Sequence, residues 1–400
     1  MMINTCSRQH VEICRDEAMR QLQDYCAAFI VPQRDKPKEF GGNTPWCRIE
    51  DIQGKYLNGT RSGQYVSEET IKKMNLKVIP EGAVICSCSA SIGVQAIVVT
   101  PCITNQTFIG IVPKEELNKE FLYYLLKSKS AYFKKIGTGT TIPYISRKKF
   151  EQLPVPGLTL TEQTKVVRIL NHAEMIIEHR KKELLRLDEL VKARFVEMFG
   201  DPVDNPIGWK TKTLQELVSD DCTISYGIVQ TGDDQEEGIP VFRPVDIVNH
   251  IPVRTELKRT TEEISSRYKR TILKGREMLI TVRANIADTC IVGEEFVGCN
   301  VGRGIVPIRT KEDEMVLEFL KYQIDSKHLN DNIKALAKGI TLIQLNMEDL
   351  REISLIVPPI EIQKVYVEFT KQVDKSKAVI QKSLDETQLL FDSLMQKYFG

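Results

Sequence analysis

The sequence repeats itself at an offset of about 200 residues, and this repeat constrains the fold more than any other feature. Phe199-Gly200 closes the first copy and Phe399-Gly400 closes the second. Three more residues recur at the offset of 200: Gln163 as Gln363, Val167 as Val367 and Leu190 as Leu390. Self-similarity at one long period is typical of chains built from repeated structural units. We therefore expect two copies of a single architecture.

The earlier part of each copy also matches, with small shifts in the offset. The pattern P-x-x-R-x-x-D-I occupies residues 45–52 and again residues 240–247. G-I-V-P occurs at 110–113 and 304–307, and F-L-x-Y occurs at 121–124 and 319–322. None of these short matches is specific alone, but all of them occur in the same order along both copies. Their shared order predicts a duplication followed by small insertions and deletions.

Each copy begins with a segment that predicts a globular α+β domain. Short apolar runs lie between turn residues at 83–87, 97–99, 108–112 and 278–282. Runs of this kind are typical of strands. Residues 115–135 carry apolar side chains at helical spacing, which predicts a helix beside the strands.

Each copy ends with a segment that predicts one long helix. Residues 161–198 and 361–398 contain no Gly or Pro, and apolar residues recur there every three or four positions. At 1.5 Å per residue each helix would span roughly 55 Å. We expect the two helices to be related by an internal pseudo-two-fold axis and to pair as an antiparallel coiled coil. The alternative is that each helix packs on its own domain or on another subunit. The residues expected to pair the helices or to dock a partner subunit are Ile169, Ile176, Leu184, Leu187, Val191, Phe369, Val373, Ile380, Phe391 and Leu394.

The composition excludes several classes of protein. With 42% hydrophobic residues, 27% charged residues and a net charge of +1, the chain is typical of globular proteins and does not coat nucleic acid by bulk charge. No run of about 18 apolar residues predicts a membrane span, and no signal peptide is evident. The ten cysteines form no CxxC pair, which indicates reduced thiols in a cytoplasmic protein.

No motif for a cofactor or a metal is evident. The phosphate-binding pattern G-x-x-x-x-G-K-[ST] does not occur. His10 lies four residues before Cys14, and Cys86 lies two before Cys88, but neither pair completes a four-ligand zinc set. We therefore expect neither a metal nor a cofactor.

The junctions between the two kinds of segment resemble those of a known family. The first junction reads G-T-G-T-T-I-P-Y-I-S from Gly137, L-P-V-P from Leu153 and T-E-Q from Thr161. The second reads G-I-T-L-I-Q-L-N from Gly339 and L-I-V-P-P-I-E-I-Q from Leu355. Together with W-K-T-K-T-L-Q-E-L from Trp209, these runs resemble the specificity subunits of Type I restriction-modification systems over nearly the whole chain. The first copy departs from the family pattern because it lacks the Trp opening.

The resemblance implies two target-recognition domains, each followed by a spacer helix, with boundaries at 1–157, 158–200, 201–357 and 358–400. It implies a non-catalytic chain that binds double-stranded DNA, with each domain recognising one half of a split, asymmetric target. It also implies two modification subunits and additional restriction subunits as partners. The assembled complex would be an adenine methyltransferase and an ATP-dependent endonuclease. The methyltransferase motif N-P-P-[YF] itself is absent, since the nearest run is Asn205-Pro206-Ile207-Gly208.

Two alternatives to a DNA-specificity subunit remain open. The chain could be a coiled-coil adaptor that binds protein partners rather than DNA, or an enzyme with an unrecognised nuclease or transferase site. The missing motifs argue against the enzyme. Two different globular segments on matched helices favour DNA recognition over the adaptor.

The residues that we expect to face DNA fall into three groups. Base edges are recognised mainly by Arg, Lys, Asn and Gln, and also by Ser and Thr. Lys55, Arg61 and Gln64 follow the first P-x-x-R-x-x-D-I motif in a Gly-rich stretch. Ser87, Ser89 and Ser91 follow a predicted strand, and Thr281, Arg283 and Asn285 occupy the corresponding place in the second copy. Within the motif itself, we favour a structural ion pair over DNA contact, between Arg48 and Asp51 in the first copy and between Arg243 and Asp246 in the second.

The third group comes from the distribution of charge. Residues 1–200 hold 29 basic and 22 acidic residues, hence +7, whereas residues 201–400 hold 26 and 32, hence −6. Residues 254–283 nevertheless hold nine basic residues against four acidic ones. Of these, we expect Arg259, Lys269 and Arg270 to contact phosphates, which supply affinity without sequence information. The alternative is a solvated surface.

Overall fold

The computed structural model describes residues 20–33, 36–137, 143–247, 254–339 and 343–400. The predictions that rest on His10, Cys14 and the segments 138–142 and 340–342 lie outside these ranges. The chain divides into two compact units. The first unit comprises Met1–Lys181 and Lys382–Gly400, and the second comprises Lys182–Gln381.

The globular part of the first unit is a mixed α+β structure. Its strands are β1 Arg20–Gln21, β2 Cys26–Ile30, β3 Thr44–Cys47, β4 Tyr56–Leu57, β5 Tyr65–Val66, β6 Val84–Ser87, β7 Gln95–Val98, β8 Ile103–Thr104, β9 Phe108–Pro113 and β10 Pro154–Val155. Its helices are α1 Glu68–Lys73, α2 Lys119–Ser128, α3 Ser130–Ile136 and α4 Arg147–Glu151, followed by the long helix α5 Leu160–Phe199. Short 3-10 turns lie at Leu22–Tyr25 and Ile49–Asp51.

The globular part of the second unit has a similar set of elements. Its strands are β11 Thr211–Thr213, β12 Ile239–Phe242, β13 Lys258–Thr260, β14 Glu277–Thr281, β15 Thr289–Val292, β16 Asn300–Val301, β17 Ile305–Ile308 and β18 Ser354–Ile356. Its helices are α6 Leu214–Leu217, α7 Glu262–Ser266, α8 Leu317–Ile324, α9 Lys327–Ala335 and α10 Met347–Arg351, followed by the long helix α11 Ile360–Phe399. Further 3-10 turns lie at Pro244–Asp246, Arg254–Glu256, Lys269–Thr271 and Glu294–Phe296.

Strand pairing confirms that the two copies share one architecture. In the first copy β6 pairs antiparallel with β7 and β9, and in the second β14 pairs antiparallel with β15 and β17. A parallel pair also recurs, as β3 with β8 and as β12 with β16. Finally, the first strand of each copy pairs antiparallel with its last, as β1 with β10 and as β11 with β18. The repeat in sequence is therefore a repeat of topology.

The expected long helices are present and begin and end within one residue of the predicted bounds. The carboxylate of Glu162 accepts hydrogen bonds from the backbone N–H and the hydroxyl of Thr159, at 2.8 and 2.7 Å, which caps the start of α5. These bonds hold the pKa of Glu162 below its usual value. Gly200 ends the helix with a φ of +72°, and a Cβ there would lie 2.6 Å from Cγ of Pro206. Only glycine suits that position.

The helix predicted over residues 115–135 is broken into α2 and α3 at Lys129. The hydroxyl of Ser130, the first residue of α3, donates a 2.9 Å hydrogen bond to the carbonyl of Gly93. A Cβ on Gly93 would lie 3.0 Å from Cβ of Ser130. The break therefore docks the start of α3 against the loop that follows β6, a tertiary contact that helical spacing alone does not reveal.

Segments of the two long helices contact each other in the second unit, where they run antiparallel. In the second unit the Lys377 ammonium pairs with Asp188 of α5, and the Tyr366 hydroxyl donates a 3.2 Å hydrogen bond to the carbonyl of Val191. As the residue number falls along α11, its partner's number rises along α5. In the first unit α5 residues 168–176 and α11 residues 387–394 line one groove.

Matched aromatic contacts join these segments to the globular domains. The ring centroids of Phe121 and Phe399 are 4.9 Å apart in the first unit. The corresponding rings of Phe319 and Phe199 are 4.7 Å apart in the second unit. The final phenylalanine of each long helix thus packs on the F-L-x-Y helix of the other copy.

Candidate nucleic-acid interface

Two loops of equal length occupy the same place in the two copies. Loop A, residues 87–94, follows β6, and loop B, residues 281–288, follows β14. Loop A is closed by the backbone hydrogen bonds from Ser87 N to Val94 O (2.7 Å) and from Gly93 N to Ser87 O (3.0 Å). Loop B is closed in the same way, from Thr281 N to Asp288 O (2.9 Å) and from Ala287 N to Thr281 O (2.9 Å).

The hydroxyl at the base of each loop is buried and bonds within the loop. Ser87 is 1% exposed, and its hydroxyl donates to the carbonyl of Ser89 at 2.9 Å. Thr281 is 0% exposed, and its hydroxyl donates to the carbonyl of Asn285 and accepts from the N–H of Asp288 at 3.0 Å. Because both hydroxyls are used inside the protein, these two residues position the loops rather than offer a side chain to a ligand.

The tip of each loop holds an alanine in the left-handed region of backbone conformation, where residues other than glycine are rare. The φ angle is +58° at Ala90 and +59° at Ala284. Such backbone strain costs energy and recurs at functional sites. Around these alanines the tips differ in chemistry. Ser91 and Asn285 are exposed, and Ser89 and Arg283 are half-buried.

Each loop is flanked by a second segment that the sequence analysis did not include in the site. Tyr144 forms an antiparallel bridge with Ser89, and Gln344 forms one with Arg283. The guanidinium of Arg283 also donates a hydrogen bond to Oε1 of Gln344. Tyr144 and Gln344 lie 200 residues apart in the junction motifs, so the sequence carried a signal that could have identified them.

Lys55 is held inside the protein rather than at the surface. Its ammonium lies 3.6 Å from a carboxylate oxygen of Glu120, donates to Oδ1 of Asn171, and sits 4.5 Å from the ring centroid of Tyr124. The side chain is 12% exposed. Burial lowers the pKa of Lys55, and Glu120 opposes that shift. Burial alone would raise the pKa of Glu120, but hydrogen bonds from Tyr56 and Asn171, together with Lys55, bring it below its usual value.

The P-x-x-R-x-x-D-I motif fixes a turn in each copy. Asp246 accepts from the backbone N–H of Arg243 at 2.7 Å, and its other oxygen lies 2.8 Å from the Arg243 guanidinium, which confirms the structural ion pair in the second copy. In the first copy Asp51 accepts the backbone N–H groups of Arg48 and Arg61, each at 2.7 Å.

The guanidinium of Arg48 contacts other groups than Asp51. It donates to Oε1 of Gln64 and lies 3.4 Å from the carboxylate of Glu50. The side-chain pair expected between Arg48 and Asp51 is therefore wrong in detail, although the motif is structural in both copies. Gln64 is half-buried, and the side chain of Arg61 is exposed.

The basic segment 254–283 is partly neutralised by the protein. Arg267 pairs with Glu263, Lys274 pairs with Asp221 at 2.7 Å, and Arg276 pairs with Glu312 at 2.7 Å. Arg259 is half-buried and donates to the carbonyl of Gly238 at 3.3 Å. Lys269 and Arg270 are exposed and form no ion pair with any residue that the structure describes. The side chain of Arg254 lies outside the described part.

The residues expected to pair the helices or to dock a partner differ in exposure. Val191, Val373 and Phe391 are buried, Ile169 is 44% exposed, and the remaining six are half-buried: Ile176, Leu184, Leu187, Phe369, Ile380 and Leu394. In the first unit an apolar groove of about 650 Å³ is lined by Ile169, Ile176, Leu390 and Leu394, with Arg168 and His172 among its other lining residues.

A membrane span needs a long and strongly apolar helix, and none of the helices in the described ranges meets both conditions.

One group of side chains has the composition of a metal site. The ligand atoms of Asp201, Asp204 and His328 lie within 4.8 Å of one another. Oδ1 of Asp201 accepts backbone N–H groups from Val203 and Asp204, at 2.8 and 3.3 Å, and lies 3.1 Å from Nδ1 of His328. These bonds make Asp201 the cap of the turn that follows α5.

Comparisons with known proteins cover nearly the whole chain. The family described as the Type I restriction modification DNA specificity domain matches twice, at residues 19–187 and 206–388. The MjaIX specificity subunit of Methanocaldococcus jannaschii is 26% identical, over 96% of this chain and 93% of its own length. The EcoBI specificity subunit of Escherichia coli is 22% identical, over 100% of this chain and 90% of its own.

Two solved structures show the same fold. One, from work on complex assembly and conformational transition of the type I R-M system, has a TM-score of 0.61 and 20% identity, over 96% of this chain and 97% of that chain. The other is a Type I restriction-modification S subunit from M. genitalium, with a TM-score of 0.56 and 15% identity over 96% of both chains.

Proposed function

Because this chain belongs to the Type I restriction modification DNA specificity family, we propose that it is the non-catalytic specificity subunit of such a system and recognises a bipartite, asymmetric DNA target. The observation that carries the proposal is the pair of matched loops. Loops A and B share closure, length and a left-handed alanine, yet Ser89 and Ser91 stand in one where Arg283 and Asn285 stand in the other. Two loops with the same length and closure but with different side chains suit two different half-sites.

We assign one recognition domain to each half-site, with the domains at 1–157 and 201–357 and the spacers at 158–200 and 358–400. Within the domains, the exposed and half-buried side chains are the candidates for DNA contact. These are Arg61, Gln64, Ser89, Ser91, Arg259, Lys269, Arg270, Arg283 and Asn285. Ser87 and Thr281 act instead as positioning residues for the loops, and Lys55 has a structural role, since their polar groups bond within the protein.

The contacts divide by chemistry into affinity and specificity. Lys269 and Arg270 present charge on a 3-10 turn and suit phosphates, whose neutralisation makes binding fall steeply with salt. Arg283 and Asn285 have the hydrogen-bonding groups that distinguish base edges in the major groove. Replacement of a phosphate contact weakens binding to every sequence, whereas replacement of a base contact changes the preferred sequence.

The long helices are the proposed docking surface for two modification subunits. The apolar groove of the first unit is about 650 Å³, and half of the Leu390 side chain that lines it is exposed. Restriction subunits then join the complex, which supplies adenine methylation and ATP-dependent cleavage. We place the protein in the cytoplasm, where the eight described cysteines, all buried, stay reduced.

We further propose that the two 40-residue helices pair along their length as a coiled coil and set the separation of the half-sites. Each spans about 60 Å at 1.5 Å per residue. Half-sites one helical turn apart are separated by roughly 34–36 Å along the duplex axis. The helices are therefore long enough to fix such a separation.

The decisive experiment maps methylated adenines in a host genome that carries this chain and its modification subunit. We expect one split motif, and an exchange of residues 1–157 for another recognition domain should change one half of it only. A change in both halves would contradict the assignment of one domain to each half-site. Methylation by the purified chain alone would contradict a non-catalytic role. Failure to bind any duplex, even with the modification subunit present, would favour the adaptor.

A further inference from the structure

We propose that Arg283 contacts a guanine in the half-site of the second domain and that Gln344 positions the Arg283 guanidinium for that contact. The inference rests on the proposed function and adds to it a residue, Gln344, and a base. Arg283 donates to Oε1 of Gln344, and both residues lie beside the tip of loop B. Arg283 is thus the candidate base-contacting residue and Gln344 the positioning residue.

A pair of backbone hydrogen bonds to Lys338 already fixes Gln344 in place. Its N–H donates to the carbonyl of Lys338 at 3.0 Å, and its carbonyl accepts the N–H of Lys338 at 2.9 Å. The next residue, Leu345, donates its N–H to the carbonyl of Val282 at 2.9 Å. Since the backbone joins the two segments without help, the side-chain bond between Arg283 and Gln344 is not needed to hold them together.

The backbone at Arg283 is equally constrained. The N–H of Val282 donates to the carbonyl of Gly304 at 2.8 Å. A Cβ on Gly304 would lie 2.5 Å from Cγ of Pro244 and 3.3 Å from Cβ of Arg283. Gly304 belongs to the repeated G-I-V-P motif and Pro244 directly follows Arg243 of the P-x-x-R-x-x-D-I motif. Two of the repeated motifs therefore serve as the support beneath Arg283.

The chemistry of the pair selects guanine. Arginine carries five donors in one plane and no acceptor. When Gln344 accepts one N–H, the plane is fixed and the other donors stay available for a bidentate contact. In the major groove guanine offers two acceptors, N7 and O6, whereas adenine offers one acceptor and one donor. A fixed guanidinium therefore discriminates between the two purines.

The first domain has different chemistry in the same place. Ser89 stands at the position of Arg283, and Tyr144 stands at the position of Gln344. One short hydroxyl and one phenol cannot present two parallel N–H donors. The half-site of the first domain should therefore lack the corresponding discrimination, which makes the two halves of the target chemically distinct.

The test uses the complex of the full chain with its modification subunit, on duplexes that differ at single base pairs of the mapped motif. We expect Arg283→Met, which keeps the length of the side chain but has no hydrogen-bond donor, to reduce discrimination at one G·C pair by roughly 5- to 150-fold. Gln344→Met should relax the same pair and no other. Gln344→Glu keeps an acceptor and should retain the discrimination.

Two controls make the outcomes decisive. Lys269→Ala should weaken binding to all duplexes alike, and Ser89→Ala should leave the second half-site unchanged. Unaltered specificity in Arg283→Met, or uniform weakening without a change of sequence preference, would overturn the inference. Unchanged discrimination in Gln344→Met would overturn the positioning role of Gln344. If that variant does not fold, Gln344→Ala replaces it in the same test. A wild-type complex without any sequence preference would instead refute the proposed function itself, so the two failures are distinguishable.

Discussion

Replacement of Gln363 by Leu tests how a spacer helix is fixed to its domain. Gln363 is fully buried near the start of α11. Its Oε1 accepts the backbone N–H of Val316 at 2.9 Å, and its Nε2 donates to the carbonyls of Glu314 and Pro358 at 2.9 and 2.8 Å. One side chain therefore joins three backbone groups.

Gln163 makes the same three bonds in the other copy. It accepts from the N–H of Asn118 at 2.9 Å and donates to the carbonyls of Glu116 and Leu158 at 3.1 and 2.9 Å. It is 1% exposed. The two residues are thus equivalent anchors, and Gln163→Leu should have the same effect in the first unit.

The expected loss of stability follows from what the leucine leaves unpaired. One buried N–H loses its only acceptor, at a cost of about 1–3 kcal/mol, and the two carbonyls add a smaller cost each. The added apolar surface of leucine offsets about 1–2 kcal/mol. We therefore expect Gln363→Leu to lower the free energy of unfolding of the second unit by about 1–3 kcal/mol.

Amide hydrogen exchange of the full chain is the appropriate assay, because a protein of two units does not unfold in one step. Exchange should accelerate at residues 314–320 and 358–366 in Gln363→Leu, and at residues 116–122 and 158–166 in Gln163→Leu. Gln372→Leu, at an exposed position of the same helix, is the matched control. If Gln363→Leu exchanges at the rate of that control, the anchor has no energetic role and our reasoning fails.

Three further predictions concern other parts of the molecule. Lys55→Met should destabilise the first unit by about 1–3 kcal/mol in thermal melts, because Glu120 loses its cation. The methylation motif should stay unchanged, and a changed motif would show that Lys55 contacts DNA. Hydrogen bonds from Lys274 and Ser219 hold the pKa of Asp221 well below its usual 3.8, so the stability that they add is present above that value and is lost as the pH falls below it. Melts of Asp221→Asn between roughly pH 5 and pH 2 should show less of this loss, and an unchanged profile would refute the assignment. Leu184→Asp combined with Leu187→Asp should weaken folding or co-purification with the modification subunit, and normal assembly would count against a role of that face.

The long helices were predictable because the signals that define them are local. Gly and Pro flank an uninterrupted run, and a stripe repeats every three or four residues. The structure places α5 at Leu160–Phe199 and α11 at Ile360–Phe399, each one residue beyond the predicted range at either end. The strands between turn residues were predictable for the same reason, since each short apolar run and its flanking turn residues lie within a few positions of one another.

The candidate site was only partly predictable, because its contacts join residues that are distant in sequence. Arg283 and Gln344 are 61 residues apart, and the residues around Gln344 do not indicate that its side chain bonds Arg283. Lys55 lies in a Gly-rich stretch that suggested an exposed loop. Its ammonium nevertheless donates a hydrogen bond to Oδ1 of Asn171, 116 residues later. Ser87 and Thr281 lie at the bases of loops A and B, but their burial depends on how each loop closes. Local patterns thus located the loops, while tertiary contacts decide which side chains point outward.

The pairing of the first and last strands of each copy has a mechanical consequence. Arg20 lies opposite Val155, and Thr211 lies opposite Ile356, so each domain enters and leaves its fold through two strands bonded side by side. A single flexible linker would let a domain turn without moving its helix. Two bonded strands, with Gln163 or Gln363 beside them, resist such rotation. A torque that acts on a domain should therefore reach the start of the attached helix instead of being absorbed at a hinge.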